Sequence, residues 1–357
     1  MVIAGALLAG VACDSGSNSE SGECESPFLG SAQTDEFVPA TPEQIALALG
    51  RGVNLGNMFD APADGAWNIY YDPSYPSLIR GAGFSHLRLP VRWSNHAAPD
   101  AAAELEPEFA CRIDGVIQAA LSEGLSVVLD VHHYKQLDGD PLDPGERPVD
   151  ESVVEERLVN IWRQLSKRYQ KLSNRLVFEL YNEPHNTLTV QRWGRLFPRV
   201  LAAVRESSPQ RTVMLGGYEW ASAFALTTLD WPADPNLIAT FHSYDPQMFT
   251  FQASKQPNSA AWLGTTCCDD AQKASVRAGF DTAKTFSTER GVPVYLGEWG
   301  SSLAADPDSR ARYSRFVRDE AELRGFPWAV WSLVDFGIYD PMTASFKPEL
   351  LEALLGP

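Results

Sequence analysis

The chain has 357 residues, 44% of them hydrophobic and 11% aromatic, with a formal net charge of −17. That length and apolar content fit a globular protein with a full core, either one barrel-sized domain or two ordinary ones. The acidic balance excludes nucleic acid as a partner, because phosphate contacts need an excess of Lys and Arg, and it leaves neutral polysaccharide open.

In chain order, residues 1–13 (MVIAGALLAGVAC) are apolar but too short to span a bilayer, and they resemble the apolar part of a secretory signal. A basic n-region is missing. Cys13 follows Gly-Val-Ala, loosely like a bacterial lipoprotein cleavage site, with Gly10 where Leu is usual. Residues 14–35 open with a Ser/Gly/Glu-rich tract that cannot build a core, so they read as a flexible tether. The expected organisation is therefore a signal or lipoprotein-like segment over 1–13, a tether over 14–35 and one catalytic domain over 36–357. Secretion or display at the cell surface follows, with membrane contact only through a lipid on Cys13, and a monomer.

With Cys13 lipidated or removed, Cys24, Cys111, Cys267 and Cys268 remain, and export permits disulfides among them. The adjacent Cys267 and Cys268 are not expected to bond each other, since such a bond needs an unusual backbone. No CxxC or spaced pair suggests a structural zinc site.

From residue 51 onward, eight short apolar runs alternate with longer amphipathic stretches. The runs are residues 51–57, 86–91, 125–133, 176–184, 212–220, 237–244, 293–300 and 327–333. Stretches such as 107–124 and 151–172 carry helical spacing, the latter through Val154, Leu158, Ile161, Leu165 and Tyr169. Strands alternating with helices imply βαβ units, and eight of them suggest closure into a (β/α)8 barrel, the α/β TIM-barrel class. An open doubly wound sheet is the runner-up, but no strand is followed by a Gly-rich phosphate fingerprint.

Nearly every run ends in polar or aromatic residues: Asn54 and Asn57, Arg88 and Arg92, His132 and His133, Asn182 and Glu183, Glu219 and Trp220, His242 and Tyr244, Glu298 and Trp299, then Trp331. In a parallel barrel the C-terminal strand ends form the active-site face. A carboxylate there is costly unless solvent, a partner or a substrate meets it. Glu183 and Glu298 from two different strands supply a carboxyl pair, the minimum machinery for cleaving a glycosidic bond. Glu183 is the expected proton donor and Glu298 the nucleophile, with the carboxyls about 5–5.5 Å apart.

Glu179 shares the parity of Glu183 but lies one layer deeper, so it reads as structural, as does Asp130. Arg88 sits inside an apolar strand and needs a carboxylate: Glu298, or else Glu179 or Asp130. His132 and His133 are expected to contact substrate hydroxyls. Metal binding by them is not expected, because no third ligand stands at suggestive spacing. Tyr244 is placed to donate to Glu298, and Trp331 to floor the sugar. The stretch from Asp245 to Asp270 has no clear period and is expected to loop over the cleft.

The segments NEP (182–184) and GEWG (297–300), with residues 52–67, 86–97, 131–134, 241–246 and 336–341, resemble glycoside hydrolase family 5, and within it bacterial endo-β-1,4-glucanases. The likeness covers roughly residues 40 to 355. It implies a retaining enzyme without cofactor or metal. Glu183 would be acid/base and Glu298 nucleophile, with Arg88, His132, Asn182, His242, Tyr244 and Trp331 around the sugar and Asn57 and His133 as further contacts. A mannanase, xyloglucanase or mixed-linkage glucanase fits the same fold. A non-catalytic polysaccharide-binding protein would have no need of both carboxylates. A Cys/His hydrolase would need a strand-end Cys, and none is present. One departure concerns specificity: the family's Trp-Glu-Phe is here Trp331-Ser332-Leu333, which is expected to leave the adjoining cleft wall less charged.

Overall fold

The computed structural model describes residues 36–143 and 145–357; the expected signal and tether lie outside these residues. Eight parallel strands close into a barrel in chain order: β1 (Arg51–Asn54), β2 (His86–Leu89), β3 (Ser126–Asp130), β4 (Leu176–Glu179), β5 (Val213–Leu215), β6 (Leu237–His242), β7 (Val294–Glu298) and β8 (Trp328–Val330). Closure is made by β8 pairing with β1, Val330 opposite Val53. All eight apolar runs thus supply barrel strands. The fifth is shorter than its run, and residues 218–221 leave the sheet as a turn in which Glu219, Trp220 and Ala221 have positive φ.

The long helices are α1 (Pro42–Leu49), α2 (Tyr75–Ala82), α3 (Pro107–Ser122), α4 (Val154–Tyr169), α5 (Val190–Ser207), α6 (Asp270–Arg290), α7 (Pro307–Leu323) and α8 (Pro348–Leu355). A helix of eight or more residues follows every strand except β5, where only short turns at Tyr218–Ala221 and Phe224–Thr227 bridge to β6. The alternation read from the sequence therefore misses one helix.

Local chemistry sets the boundaries. Thr41 caps α1 in a capping box with Gln44, and Pro42 opens the helix where its missing N–H costs nothing. Past the end of α4, the buried Arg211 guanidinium donates to the carbonyls of Tyr169, Leu172, Ser173 and Leu176. It satisfies acceptors that a helix end leaves open.

Strand parity explains where the core ends and the site begins. Val128, Val177, Met214, Ile238, Tyr295 and Ala329 form an apolar layer inside the barrel, closed from below by Ile45, Ala46 and Leu49 of α1. Two residues further along their strands, the inward positions turn polar: Asp130, Glu179 and Thr240, beside Arg88. The second, larger core lies between barrel and helices. Trp299, expected among the polar strand endings, belongs to it: its indole is fully buried against Trp328 and Tyr313.

The cysteines correct one expectation. Cys267 and Cys268 are bonded to each other. The peptide between them is cis, which brings their Cα atoms to 3.1 Å and the two sulfurs to the same side. A trans peptide would hold the Cα atoms about 3.8 Å apart, so the unusual backbone such a bond needs is present here. Cys111 is disulfide-bonded as well.

Candidate active site

The polar rim is organised by Arg88. A guanidinium inside a β-strand must be paired, and three carboxylates meet it. Nε and Nη2 grip Glu179 at 2.7 and 3.0 Å, Nη2 also reaches Asp130 at 2.8 Å, and Nη1 donates to Glu298 at 2.7 Å. Asn54 and Asn182 accept the remaining hydrogens at 3.0 and 2.8 Å. The alternatives left open for Arg88 are all occupied together. One cation against three acids leaves the cluster acid-rich. Burial pushes Asp130 up to about 6 and raises Glu179, while Arg88 pulls both down. Burial alone would lower the guanidinium, but the three carboxylates hold it well above its ordinary value.

Glu298 ends β7. Its Oε1 accepts from Arg88 and its Oε2 accepts from the Tyr244 hydroxyl at 2.9 Å. Glu183 stands on the tail of β4, with 20% of its side-chain surface open to the cleft. Its one side-chain partner is His242, whose Nδ1 shares a hydrogen bond with Oε1 at 2.7 Å. One oxygen of each glutamate and a ring nitrogen of His242 all lie within 4.8 Å of one another. Oxygens this near one another fit the close carboxyl pair of retaining glycosidases, about 5–5.5 Å apart, better than the wider inverting arrangement.

The two acids differ in their contacts rather than in their burial. Burial pushes Glu183 up to about 7, against the pull of His185 and Arg88. Burial likewise pushes Glu298 up to about 7, against the pull of Arg88 and the Tyr244 hydroxyl. The two acids therefore stand level and hold about one proton between them near neutral pH, and the direct guanidinium contact favours the charge on Glu298 and the proton on Glu183. Burial also lowers His242, so the imidazole between them is neutral.

The other expected residues assemble around this pair. His132 shares a hydrogen bond with Asp130 through Nδ1 at 3.0 Å, and its Nε2 lies 3.9 Å from Glu298 Oε1. Its ring stacks on Trp331, with centroids 5.4 Å apart and planes at 11°. Trp331 itself is 9% exposed, and Gly56 makes room for it: a Cβ there would meet the indole at 2.6 Å. His133 packs edge-on against His132 and Trp67. Burial holds both histidines well below their ordinary value, hence neutral. The expected loop over the cleft also forms: Phe251 lies on Tyr244, and the Lys255 ammonium sits 5.2 Å from the centre of the Trp67 ring.

Two placements differ from expectation. Ser332 is fully buried, its hydroxyl bonded to the carbonyl of Asp335, so it does not line the cleft wall. The wall's carboxylate comes from Asp335, three residues on, which accepts from Asn57 Nδ2 at 2.6 Å and from the Trp331 side chain. The wall is therefore still acidic, and Asn57 is committed to Asp335.

Two residues escaped the sequence reading, and a third, Trp220, was given no role beyond its place at a strand end. Asp60 lies on the tail of β1, wholly buried, with no well-formed hydrogen bond to either carboxylate oxygen. His185, two residues past Glu183, would be lowered by burial, but Asp140 and Asp138 hold it up to about 9. Its ring stacks on Trp220, whose indole is 52% exposed. Trp220 was marked by its place among the strand endings. Nothing marked Asp60.

Comparison with known proteins agrees with this geometry. A family model described as cellulase, glycosyl hydrolase family 5, matches residues 50–337. Endoglucanase H of Acetivibrio thermocellus is 32% identical over 323 residues, a match that takes in 88% of this chain and 34% of that protein. The chain thus spans about a third of that relative's length. Endoglucanase B of Clostridium cellulovorans is 25% identical, covering 88% of this chain and 75% of that protein. Among solved structures, the endoglucanase Cel5A from the hyperthermophilic Thermotoga maritima superposes with a TM-score of 0.83 at 35% identity, over 88% of this chain and 100% of that one. The same enzyme has been crystallised with cellobiose and with mannotriose. With a closed eight-stranded barrel, a rim carboxylate pair and a family match over more than half its length, this chain belongs to the cellulase family, glycosyl hydrolase family 5.

Proposed function

We propose that this glycoside hydrolase is a retaining endo-β-1,4-glucanase. The observation that carries the reading is the asymmetric rim pair: two carboxylates with nearest oxygens within 4.8 Å, one clamped by Arg88 and Tyr244 and the other joined only to His242. In the first step Glu298 attacks the anomeric carbon while Glu183 gives its proton to the departing glycosidic oxygen. A glycosyl ester on Glu298 results. Glu183, now a carboxylate, takes a proton from water, which attacks the same carbon and releases the sugar with its configuration retained. Trp331 and His132 floor the site, and Trp220 offers a further stacking face beyond Glu183.

The test is hydrolysis of carboxymethylcellulose, barley glucan, glucomannan and xyloglucan, scored by new reducing ends, with proton NMR of the first anomer released. Cleavage of the first two with an initial β product is expected; an initial α product would overturn the roles of the two glutamates. Activity on glucomannan is a second expectation, supported by the mannotriose complex of the similar Cel5A.

We also propose export. The Cys267–Cys268 bond supports an oxidising compartment, and lipidation of Cys13 rests on the order of apolar stretch, Cys and polar tract. Fractionating cells that express the gene with its own upstream start tests it. Activity in the soluble extracellular fraction, unchanged by Cys13→Ser, would leave secretion without an anchor.

A further inference from the structure

Among the described residues, a second cluster of ligating side chains lies beside the catalytic pair. Asp60, His132 and His133 each present one ligand atom, and these atoms lie within 4.8 Å of one another. The sequence gives the His132-His133 pair no third ligand at suggestive spacing. The fold supplies one from the tail of β1, because the ends of neighbouring strands meet on one rim.

We propose that Asp60, His132 and His133 form a binding site for a divalent cation of borderline softness, Zn2+ being the probe, and that its occupation blocks the glucanase cleft. Two imidazoles and one carboxylate suit zinc, whereas calcium and magnesium prefer all-oxygen sets. Three features of the site fit a ligand set rather than a chance grouping.

The first is Asp60. Its carboxylate is completely buried, and neither oxygen makes a well-formed hydrogen bond, the backbone N–H groups of Asn57 and of Asp60 itself only leaning toward it. Buried polar groups are almost always satisfied, so an orphaned carboxylate facing two imidazoles points to a missing partner that can accept its lone pairs. The second is the orientation of His132. Its Nδ1 is tied to Asp130 at 3.0 Å, which leaves Nε2 to face Asp60. A carboxylate holding one ring nitrogen while the other faces the ion is how metal-binding histidines are normally fixed. The third is distance. His132 Nε2 lies 3.9 Å from Asp60 Oδ2, too far for a hydrogen bond. Two ligands on a tetrahedral zinc with bonds of about 2.1 Å stand about 3.4 Å apart, so a small inward movement closes the site.

The same Nε2 lies 3.9 Å from Glu298 Oε1. An ion here would sit against the nucleophile's charge and beside the Trp331 floor, where the sugar has to lie. That blocking clause rests on the glucanase reading; binding itself does not.

The experiment uses the untagged full chain, stripped with chelator and titrated with Zn2+ against a chromophoric chelator, with melting temperature followed in parallel. One Zn2+ per chain is expected, raising the melting temperature as any ligand of the native state does. Asp60→Asn and His133→Gln should each weaken binding at least tenfold while the metal-free variants still melt cooperatively. Glu183→Gln, which alters the neighbouring group of Glu183, His242 and Glu298, should leave affinity within about threefold. Glucan hydrolysis should be inhibited competitively, with an inhibition constant equal to the dissociation constant. No binding at millimolar Zn2+, or binding untouched by Asp60→Asn, would overturn the site. Loss of binding in Glu183→Gln would move the ion to the catalytic pair and overturn it too. Binding as expected without inhibition would refute the blocking role alone.

Discussion

Arg88 Nη1 lies 2.7 Å from Glu298 Oε1, and the same guanidinium holds Glu179 and Asp130 through its other nitrogens. The nucleophile's charge is thus set by a cation that the barrel interior also needs. Arg88→Lys keeps the charge but loses the fork, so it cannot serve three acids at once. We expect it to lower both stability and kcat, since breaking a buried ion pair costs about 3–5 kcal/mol. Thermal melts and steady-state kinetics on one preparation check this; a normal melting temperature would mean that the cluster carries less of the fold than its geometry suggests.

Glu183→Gln and Glu298→Gln should each reduce glucan turnover by at least ~10²-fold while melting like the parent. Their signatures should differ on an aryl cellobioside with a good leaving group. Such a substrate needs little protonation, so Glu183→Gln should still form the glycosyl ester and show a burst of released phenol. Glu298→Gln should show none. A burst in Glu298→Gln would reverse the assignment.

The pH profile of kcat/KM should be bell-shaped. Activity needs Glu183 protonated, so it falls as pH rises through that group's value of about 7. It also needs Glu298 ionised, and burial holds that group at about 7 too, so activity falls on the acid side close to the alkaline limb and the bell is narrow. Tyr244→Phe removes a hydrogen bond that lowers Glu298. The acid limb should therefore move to higher pH and the optimum narrow, with the alkaline limb in place. An unmoved acid limb would show that Tyr244 does not tune the nucleophile.

Trp331 and Trp220 should separate in kinetics. An aromatic contact is worth about 0.5–1.5 kcal/mol beyond its area, up to about tenfold in rate or affinity. Trp331→Ala removes the floor beneath the reacting sugar, so kcat should fall about tenfold, with a loss of stability because the indole is nearly buried. Trp220→Ala removes an exposed face away from the bond that breaks. It should raise KM about fivefold on polymer and leave kcat near normal. Equal effects on kcat would place both rings at the cleavage point.

The barrel and its carboxyl pair were legible because they break a pattern. Glu183 and Glu298 interrupt runs that are otherwise apolar, and burial makes such interruptions costly without a function. Arg88 was legible for the same reason, though its threefold pairing was not, since no spacing in the chain says which strand ends meet at one layer. Asp60 and Asp335 lie beyond the strand ends, beside Phe59 and Ala61 and beside Val334 and Phe336, in segments with no period to place their side chains, so nothing marked them. Ser332 misled because adjacency in sequence suggested adjacency on the wall, whereas the chain turns its side chain inward. The vicinal disulfide depends on a backbone choice that residue types do not encode, and the missing helix after β5 shows that chain length between strands does not oblige a helix to form.

The cover made by α1 has a practical consequence for where this domain begins. The family match starts at residue 50, immediately past the last residue of α1, Leu49. A fragment begun at residue 50 would keep every barrel strand and both glutamates and lose Ile45, Ala46 and Leu49 from beneath Val128, Val177, Met214, Ile238 and Tyr295. Water would then reach the underside of the barrel, against side chains each worth about 1.5–3 kcal/mol when buried. At this end the boundary of likeness and the boundary of folding differ by one helix, and a truncation that respects the second must keep Thr41, whose side chain starts it.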